Sequence, residues 1–387
     1  MDFDLTEEQR IIQETARAFA QKEVKPVAAK LDREGVFPVE LVRRLGQLGF
    51  MGTFVPIELD GSGLDTVSYV IALEEISKAW ASLGAIMTVN NSLVCEPILR
   101  FGSEGQKRKY LPGLARGELL GCYALTEPGA GSDAGAIQTR ADKKGDAYIL
   151  EGSKIFTTNG SRADLAIVFG VTGPSRGKKG ISAFLVEKGT DGFSVGRLED
   201  KLGLRASDTA ELNFRACRVP RENLLGGEGE GFRIAMETLD GGRIGIAGQA
   251  LGIAQGCLEE SLAYAKQRRQ FGRPIAEFQA IQWMLADMAT EIDAARALTY
   301  RAAWLRGQGG RVTLEAAMAK LFAAEAANRI AYKAVQIFGG YGYMKDFAVE
   351  RFYRDARVTT LYEGTSEIQR LIIARQLVEE GDPAGES

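Results

Sequence analysis

The chain of 387 residues contains no histidine at all. That absence excludes a Cys/His zinc site, a Ser-His-Asp triad and a histidine-ligated haem. It also leaves carboxylates as the obvious candidates for general-base work. Cysteine is scarce: Cys95, Cys122, Cys217 and Cys257 are widely spaced, with no C-x-x-C pair. They read as buried free thiols in a reducing compartment, and no metal is expected. Neither sign of charge is in large excess: 48 basic against 51 acidic residues leaves a net charge of −3. The global field therefore favours neither nucleic acid nor an anionic membrane. A long hydrophobic run is missing too. The longest charge-free stretch of the C-terminal half, residues 244–258, is too short and too glycine-rich to span a bilayer. The first five residues are acidic and read as carrying no signal peptide. A cytoplasmic protein without a membrane span is the expectation.

What is present fits a soluble globular chain, with 45% hydrophobic and 26% charged residues. The length allows two or three domains, or one large core with an inserted module. Apolar residues recur at helical spacing through the first third, from Ile11, Ile12, Ala16 and Phe19 onward, with Thr6 and Gln9 opening a helix as a capping box. Further helices are expected over 39–50, 68–78, 83–101 and 103–116, with a loop at 61–63. The composition changes near Gly117. Short alternating segments at 120–125, 136–142, 148–157, 165–171, 181–187 and 210–219 predict strands of a small antiparallel barrel or sandwich. From Glu230 to about 380 the chain reads helical again. There Gly248, Gly252 and Gly256 share one helix face, which predicts close approach of a neighbour. Residues 381–387 read as a disordered tail.

Several segments carry candidate chemistry, each with a plainer alternative. Residues 361–370, LYEGTSEIQR, place Glu363 on a Gly-containing turn before an amphipathic helix. A carboxylate in an apolar site becomes a stronger base. The plainer reading is a helix start, with Ser366 and Gln369 as a capping box. Residues 123–133, YALTEPGAGSD, run off a strand into a glycine-rich loop that a ligand can approach. The loose dinucleotide fingerprint at 129–134 follows Pro128 and lacks a βαβ unit, and a long β-turn explains it as well. Residues 154–160, KIFTTNG, end a strand with an aromatic and two hydroxyls, suited to a ring or to a core. The basic run 266–273 fits a phosphate, a solvated helix end or nucleic acid. Residues 336–343, QIFGGYGY, fit backbone contact with a ligand or a helix C-cap.

Taken in this order, the motifs resemble the acyl-CoA dehydrogenase family over nearly the whole chain, from Thr6 to Arg375. The runs 124–133 and 336–370 carry the resemblance most specifically. Residues 88–93, 239–247 and 362–367 resemble its short-chain, butyryl-type members. The resemblance implies a mainly α fold with a central β domain: an N-terminal helical domain (1–117), a small antiparallel β-barrel (118–228) and a C-terminal four-helix bundle (229–380). It implies FAD bound without a Rossmann fold, and a homotetramer built as a dimer of dimers. Glu363 resembles the base that removes the α-proton, its N–H helping to hold the thioester carbonyl. Tyr123, Leu125, Thr126 and Ser132 match the flavin and pantetheine loop. Phe156, Thr157 and Thr158 match the segment against the isoalloxazine, with Phe156 where tryptophan is usual. Arg268, Phe271, Gln336, Gly339 and Gly340 resemble residues that reach FAD across a dimer interface, and Phe278 with Gln279 another contact pair. Thr365 and Glu367 match cofactor contacts; Asp240 and Arg243 match CoA-side contacts, with Tyr362 and Gly364 also placed at the substrate. Some relatives carry the base at the position of Gly242, which leaves Glu363 alone here.

The implied activity is FAD-dependent α,β-dehydrogenation of an acyl-CoA to the trans-2-enoyl-CoA, with electrons passed to an electron-transfer flavoprotein. An acyl-CoA oxidase, a branched-chain dehydrogenase and a non-catalytic flavin-binding protein are the alternatives. Short to medium straight chains are the expected substrates, because residues 88–93 and 239–247 resemble the short-chain acyl pocket.

Overall fold

The structure, a computed structural model, describes residues 4–380. The expected tail at 381–387 lies outside the described residues. Seven helices come first: α1 (Glu7–Phe19), α2 (Lys25–Glu34), α3 (Val39–Gln47), α4 (Thr66–Ala79), α5 (Ala81–Thr88), α6 (Glu96–Phe101) and α7 (Glu104–Ala115). Thr6 caps α1 through the reciprocal bonds with Gln9 that the sequence predicted. Strands follow: β1 (Gly121–Ala124), β2 (Arg140–Lys144), β3 (Ala147–Thr158), β4 (Leu165–Val171), β5 (Ile181–Glu187), β6 (Phe193–Leu198), β7 (Thr209–Pro220) and β8 (Leu224–Leu225). Helix α8 (Gly231–Gln267) leads through a two-strand ribbon, β9 (Arg269–Gln270) and β10 (Arg273–Pro274), into α9 (Gln279–Gly307). Then come α10 (Thr313–Phe338), α11 (Ala348–Ala356) and α12 (Ser366–Glu380).

The expected helix over 83–101 is present but not regular. Its middle, Val89–Cys95, widens into π-helical turns, and so does Ala20–Val24 between α1 and α2. Such turns cluster at functional sites because they re-aim side chains. Here they turn two buried amides toward separate elements. Asn91 accepts from the Thr53 N–H and hydroxyl, and Asn90 accepts from the Gly121 N–H at 3.0 Å. The second contact ties the start of β1 to the helical layer.

The sheet runs β6-β7-β3-β2-β4-β5-β8, with β1 beside β4. It is antiparallel except that β1 and β2 each meet β4 in parallel. Strand β2 starts later than the sequence predicted, at Arg140. The Glu127 carboxylate accepts the N–H groups of Gln138 (2.6 Å) and Thr139 (3.0 Å), which removes those donors from any ladder. Strand β6 was not predicted: five of its six residues are exposed, so no buried face marks it.

One core joins the two helical stretches, running from Ile12 through α4 and α5 to α8, α9, α10 and α11. The α4–α8 contact uses the glycine face. The α4 backbone at Glu74 and Lys78 stands where side chains on Gly252 and Gly256 would be. Close approach thus offsets the cost of helical glycine.

Candidate active site

Glu363 lies on the turn just before α12, with φ at +50°, followed by Gly364 at +92°. A non-glycine residue there carries backbone strain of about 1–3 kcal/mol and persists only where its surroundings hold it. Two side chains do so. Gln369 Nε2 donates to the carbonyls of Glu363 (3.2 Å) and Gly364 (2.9 Å), and Lys320 Nζ donates to the Gly364 carbonyl (2.8 Å). The expected Ser366–Gln369 capping box is therefore corrected. Thr365 Oγ1 accepts the Ile368 N–H instead, because Gln369 is drawn back to the turn.

The carboxylate reaches α8. A Cβ on Gly242 would collide with Glu363 Oε2 and lie within 3.0 Å of Leu93 Cδ2. Glu363 Oε2 is buried with no hydrogen-bond partner. Burial pushes this carboxyl up to about 7, against the pull of the Lys320 and Arg243 charges. Arg243, also buried, bonds Asp240 Oδ1, while Thr313 Oγ1 donates to Asp240 Oδ2 at 2.7 Å. Burial pulls the Lys320 ammonium down to about 8, although the Glu363 charge favours it.

Further along the same face of α8, Gly245 abuts the hydroxyls of Thr88 and Tyr69, which bond each other at 2.6 Å. One turn on, Gln249 accepts from the Tyr362 hydroxyl and donates to the Ala81 carbonyl. Three residues of helix rise about 4.5 Å. A chain passing Glu363 along α8 therefore meets a polar floor that begins with the Thr88–Tyr69 pair at roughly that distance and continues to Gln249 about 6 Å further on.

Near the carboxylate stand other buried polar atoms without partners, Tyr123 Oη and Arg243 Nε, and Thr157 Oγ1 on β3 is likewise buried and unpaired. Tyr123 is close enough to feel the charges of both Glu363 and Arg243. Unpaired buried polar atoms mark places where a ligand completes the structure. The loop over Leu125, Thr126 and Ser132 is open, with no atom within 4 Å of a side chain added at Gly129 or Gly131. After Glu127–Ala130, bonded to each other as a tight turn, comes only a short 3-10 turn, Ala134–Ala136, so the dinucleotide fingerprint fails. Beneath the loop, Lys154 is fully buried and donates to Glu127 Oε1 (2.7 Å) and the Leu125 carbonyl (3.1 Å). Phe156 stands on a bulge of β3, at φ +56° and 61% exposed, with Thr157 and Thr158 behind it. Hydroxyls, open glycines and an exposed aromatic fit a flavin beside a thioester.

Among the remaining predicted cofactor residues, Arg268 and its neighbours lie far from Glu363. Arg268 stands 26 positions after Gly242, which separates them by about 39 Å along the helix. Its guanidinium lies over the Tyr341 ring and lines a cavity of about 500 Å³ with Gly339 and Gly340. Both glycines are open to a ligand. Phe271 is 94% exposed at the tip of the β9–β10 ribbon, edge-on to Phe278 beside Gln279. Gln336 faces a different cavity, near Tyr332 and Arg351. Thr365 and Gly364 adjoin the base, and Glu367 is exposed at the head of α12. Among the described residues, no cluster of side chains is suited to a metal, and no helix is long and apolar enough to cross a membrane.

Sequence reasoning missed Lys320, Gln249, Asn90 and the Lys154–Glu127 pair. Lys320 had a signal: it interrupts the buried alanine stripe of α10 formed by Ala316, Ala323 and Ala327. Gln249 had none beyond its place among glycines.

Family models match the three parts of the chain. They are the acyl-CoA dehydrogenase N-terminal domain over residues 6–118, the middle domain over 122–217 and the C-terminal domain over 229–378. The short-chain specific acyl-CoA dehydrogenase of Clostridium acetobutylicum is 53% identical over 97% of this chain and all of its own. Butyryl-CoA dehydrogenase from Megasphaera elsdenii superposes with a TM-score of 0.96, at 46% identity, over 98% of this chain and all of that one. A chain from a structure described as "Electron transferring flavoprotein of Acidaminococcus fermentans: Towards a mechanism of flavin-based electron bifurcation" does so at 0.97. It is 52% identical, over 98% of this chain and all of that one. Fold, site and relatives agree, and the chain belongs to the acyl-CoA dehydrogenase family, whose members are FAD-dependent flavoproteins.

Proposed function

We propose that this chain dehydrogenates short, straight acyl-CoA thioesters to the trans-2-enoyl-CoA, with Glu363 as the base that takes the α-proton. The buried, partnerless Glu363 Oε2 carries the reading: a carboxyl brought to about 7 is poised for proton abstraction near neutral pH. The Glu363 N–H meets no protein acceptor among the described residues, so it is free to hold the thioester oxygen as negative charge grows there. Bound FAD supplies the acceptor for the hydride that leaves the β-carbon. Thr126, Ser132, Thr157 and Thr158 would hold its ring and ribityl region, with Tyr123 and Leu125 packed beside it and Phe156 on its outer edge. Electron-transfer flavoprotein is the partner that receives the electrons; the Acidaminococcus match supports it.

The polar floor of Thr88, Tyr69 and Gln249 supports a short acyl chain, because each methylene pushed against it loses its apolar burial and leaves buried polar groups crowded. The distance between Gly242 and Arg268 supports sharing between subunits. Arg268, Phe271, Phe278, Gln279, Gln336, Gly339 and Gly340 would grip the cofactor of a neighbouring copy, within a homotetramer that is a dimer of dimers. Asp240 and Arg243, on the third and fourth turns of α8, would meet the CoA side, with Tyr362 and Gly364 bordering the acyl chain. We divide the chain at 117/118 and 228/229, and place the protein in the cytoplasm. The test mixes FAD-loaded protein anaerobically with acyl-CoAs of four to sixteen carbons and follows flavin bleaching. Bleaching fastest with butyryl- or hexanoyl-CoA is expected. No bleaching with any acyl-CoA sinks the activity; an optimum at ten carbons or more, or with branched chains, sinks the substrate size.

A further inference from the structure

Lys320 has a place in the site that the proton-abstraction chemistry leaves unused. Its side chain is fully buried in α10, and among the described residues its one hydrogen-bond acceptor is the Gly364 carbonyl at 2.8 Å. An ammonium taken out of water for one neutral carbonyl is an expensive core residue, and methionine of similar volume would pack there without that cost. The surroundings say what the charge faces. Glu363 dominates, ahead of Arg243 from α8, Glu325 on the lysine's own helix and Glu367 on α12. From the other side, Lys320 and Arg243 are the cations that face Glu363, while Tyr123, Tyr69 and Tyr362 surround it as neutral hydroxyls. Lys320 and Glu363 do not form a direct ion pair, so the carboxylate oxygen stays free for a proton.

We propose that Lys320 is the positioning residue of the base: its ammonium grips the Gly364 carbonyl to fix the left-handed turn, and its charge stands behind the Glu363 carboxylate to keep it ionised. The two effects are separable. The grip sets where the carboxylate points, and the grip is shared with Gln369. The charge sets the pH range over which the carboxylate can accept a proton. Arg243 cannot supply the same service alone, because its guanidinium is already bonded to Asp240. The inference rests on Glu363 being the base.

Two variants of the FAD-loaded enzyme separate the roles. Lys320→Gln keeps a donor for the carbonyl and removes the charge; Lys320→Met keeps the shape and removes both. The readout is kcat/KM for butyryl-CoA from pH 5 to 9, with KM and kcat resolved. In the wild type the acid limb should have its midpoint near 7. In both variants that midpoint should rise by about one to two pH units, the effect of losing one nearby charge at an effective dielectric of roughly 20–40. KM should stay within about threefold. At pH 9 Lys320→Gln should recover about half of kcat or more, while Lys320→Met remains at least about tenfold down, because its turn is no longer gripped. An unmoved midpoint in folded, FAD-loaded variants overturns the proposal. Loss of folding in both variants also overturns it, by assigning the lysine to the core. Glu363→Gln runs alongside. If it retains activity, the base assignment itself fails; if it is inactive while the Lys320 profiles match wild type, only the role of Lys320 fails.

Discussion

Replacing Gly242 with alanine tests the site without touching any reacting group. The new methyl carbon would lie 2.9 Å from Glu363 Cδ and 3.0 Å from Leu93 Cδ2, and closer still to Oε2. Carbon–carbon contact becomes favourable only at about 3.5–4.0 Å, and Oε2 stands nearer than Cδ, so the carboxyl must retreat by at least about 1 Å. It cannot retreat freely, because Lys320 and Gln369 hold the turn behind it. A base displaced by about 1 Å loses on the order of 10²-fold in rate. Helix α8 itself should not suffer, since alanine is the better helix former by about 1 kcal/mol. The expected result is a protein that binds FAD and melts within a few degrees of wild type, with kcat for butyryl-CoA reduced about a hundredfold. Stopped-flow flavin bleaching measures the chemical step directly. A bleaching rate within threefold of wild type would refute the placement of the carboxylate against α8. Collapse of FAD content would instead show that the methyl group is accommodated by moving the helix.

Glu363→Gln should stabilise the protein at high pH. A carboxyl raised from 4.5 to about 7 by folding binds protons more tightly in the folded state, so its burial costs nothing below pH 4.5 and up to about 3 kcal/mol above pH 7. The melting temperature of the variant should therefore exceed wild type at pH 8 and match it at pH 4.5; equal curves would show a solvated carboxylate. Lys154→Met should leave Glu127 charged and buried under the 124–133 loop, at a cost of about 3–5 kcal/mol by urea denaturation. A loss below 1 kcal/mol would mean that water reaches the pair. Arg268→Ala should lower FAD retention and oligomer stability together, by about 1.5–3 kcal/mol for the lost charge-assisted contact. Unchanged FAD content and mass would leave the basic run as a solvated helix end.

The order of helices, strands and helices was legible in the sequence because apolar spacing and turn residues are local signals. Glu363 stood out through the resemblance its surroundings carry, and the structure buries its Oε2 against α8. What escaped was set by distant partners. The late start of β2 depends on Glu127, and β6 has no buried face to reveal it. Gln369 fits a capping pattern by spacing, yet a strained turn six residues earlier recruits its amide. Phe156 was recognisable as an aromatic before two hydroxyls, but the bulge that turns it outward exists only in register with β7. Lys320 could have been flagged as a charge within an alanine stripe; the carbonyl it serves lies 44 residues away in sequence.

Helix α4 is buried along its whole length, every residue from Thr66 to Ala79. Much of that cover comes from α8, which begins at Gly231. During synthesis this fully enclosed helix therefore waits for about 150 residues to be added before its main partner exists. At ribosomal speeds of about 5–20 residues per second, the wait lasts roughly 8–30 s. Over that interval a fourteen-residue apolar helix has no native cover on the α8 side. The N-terminal helices can therefore reach their full native cover only after α8 has been made.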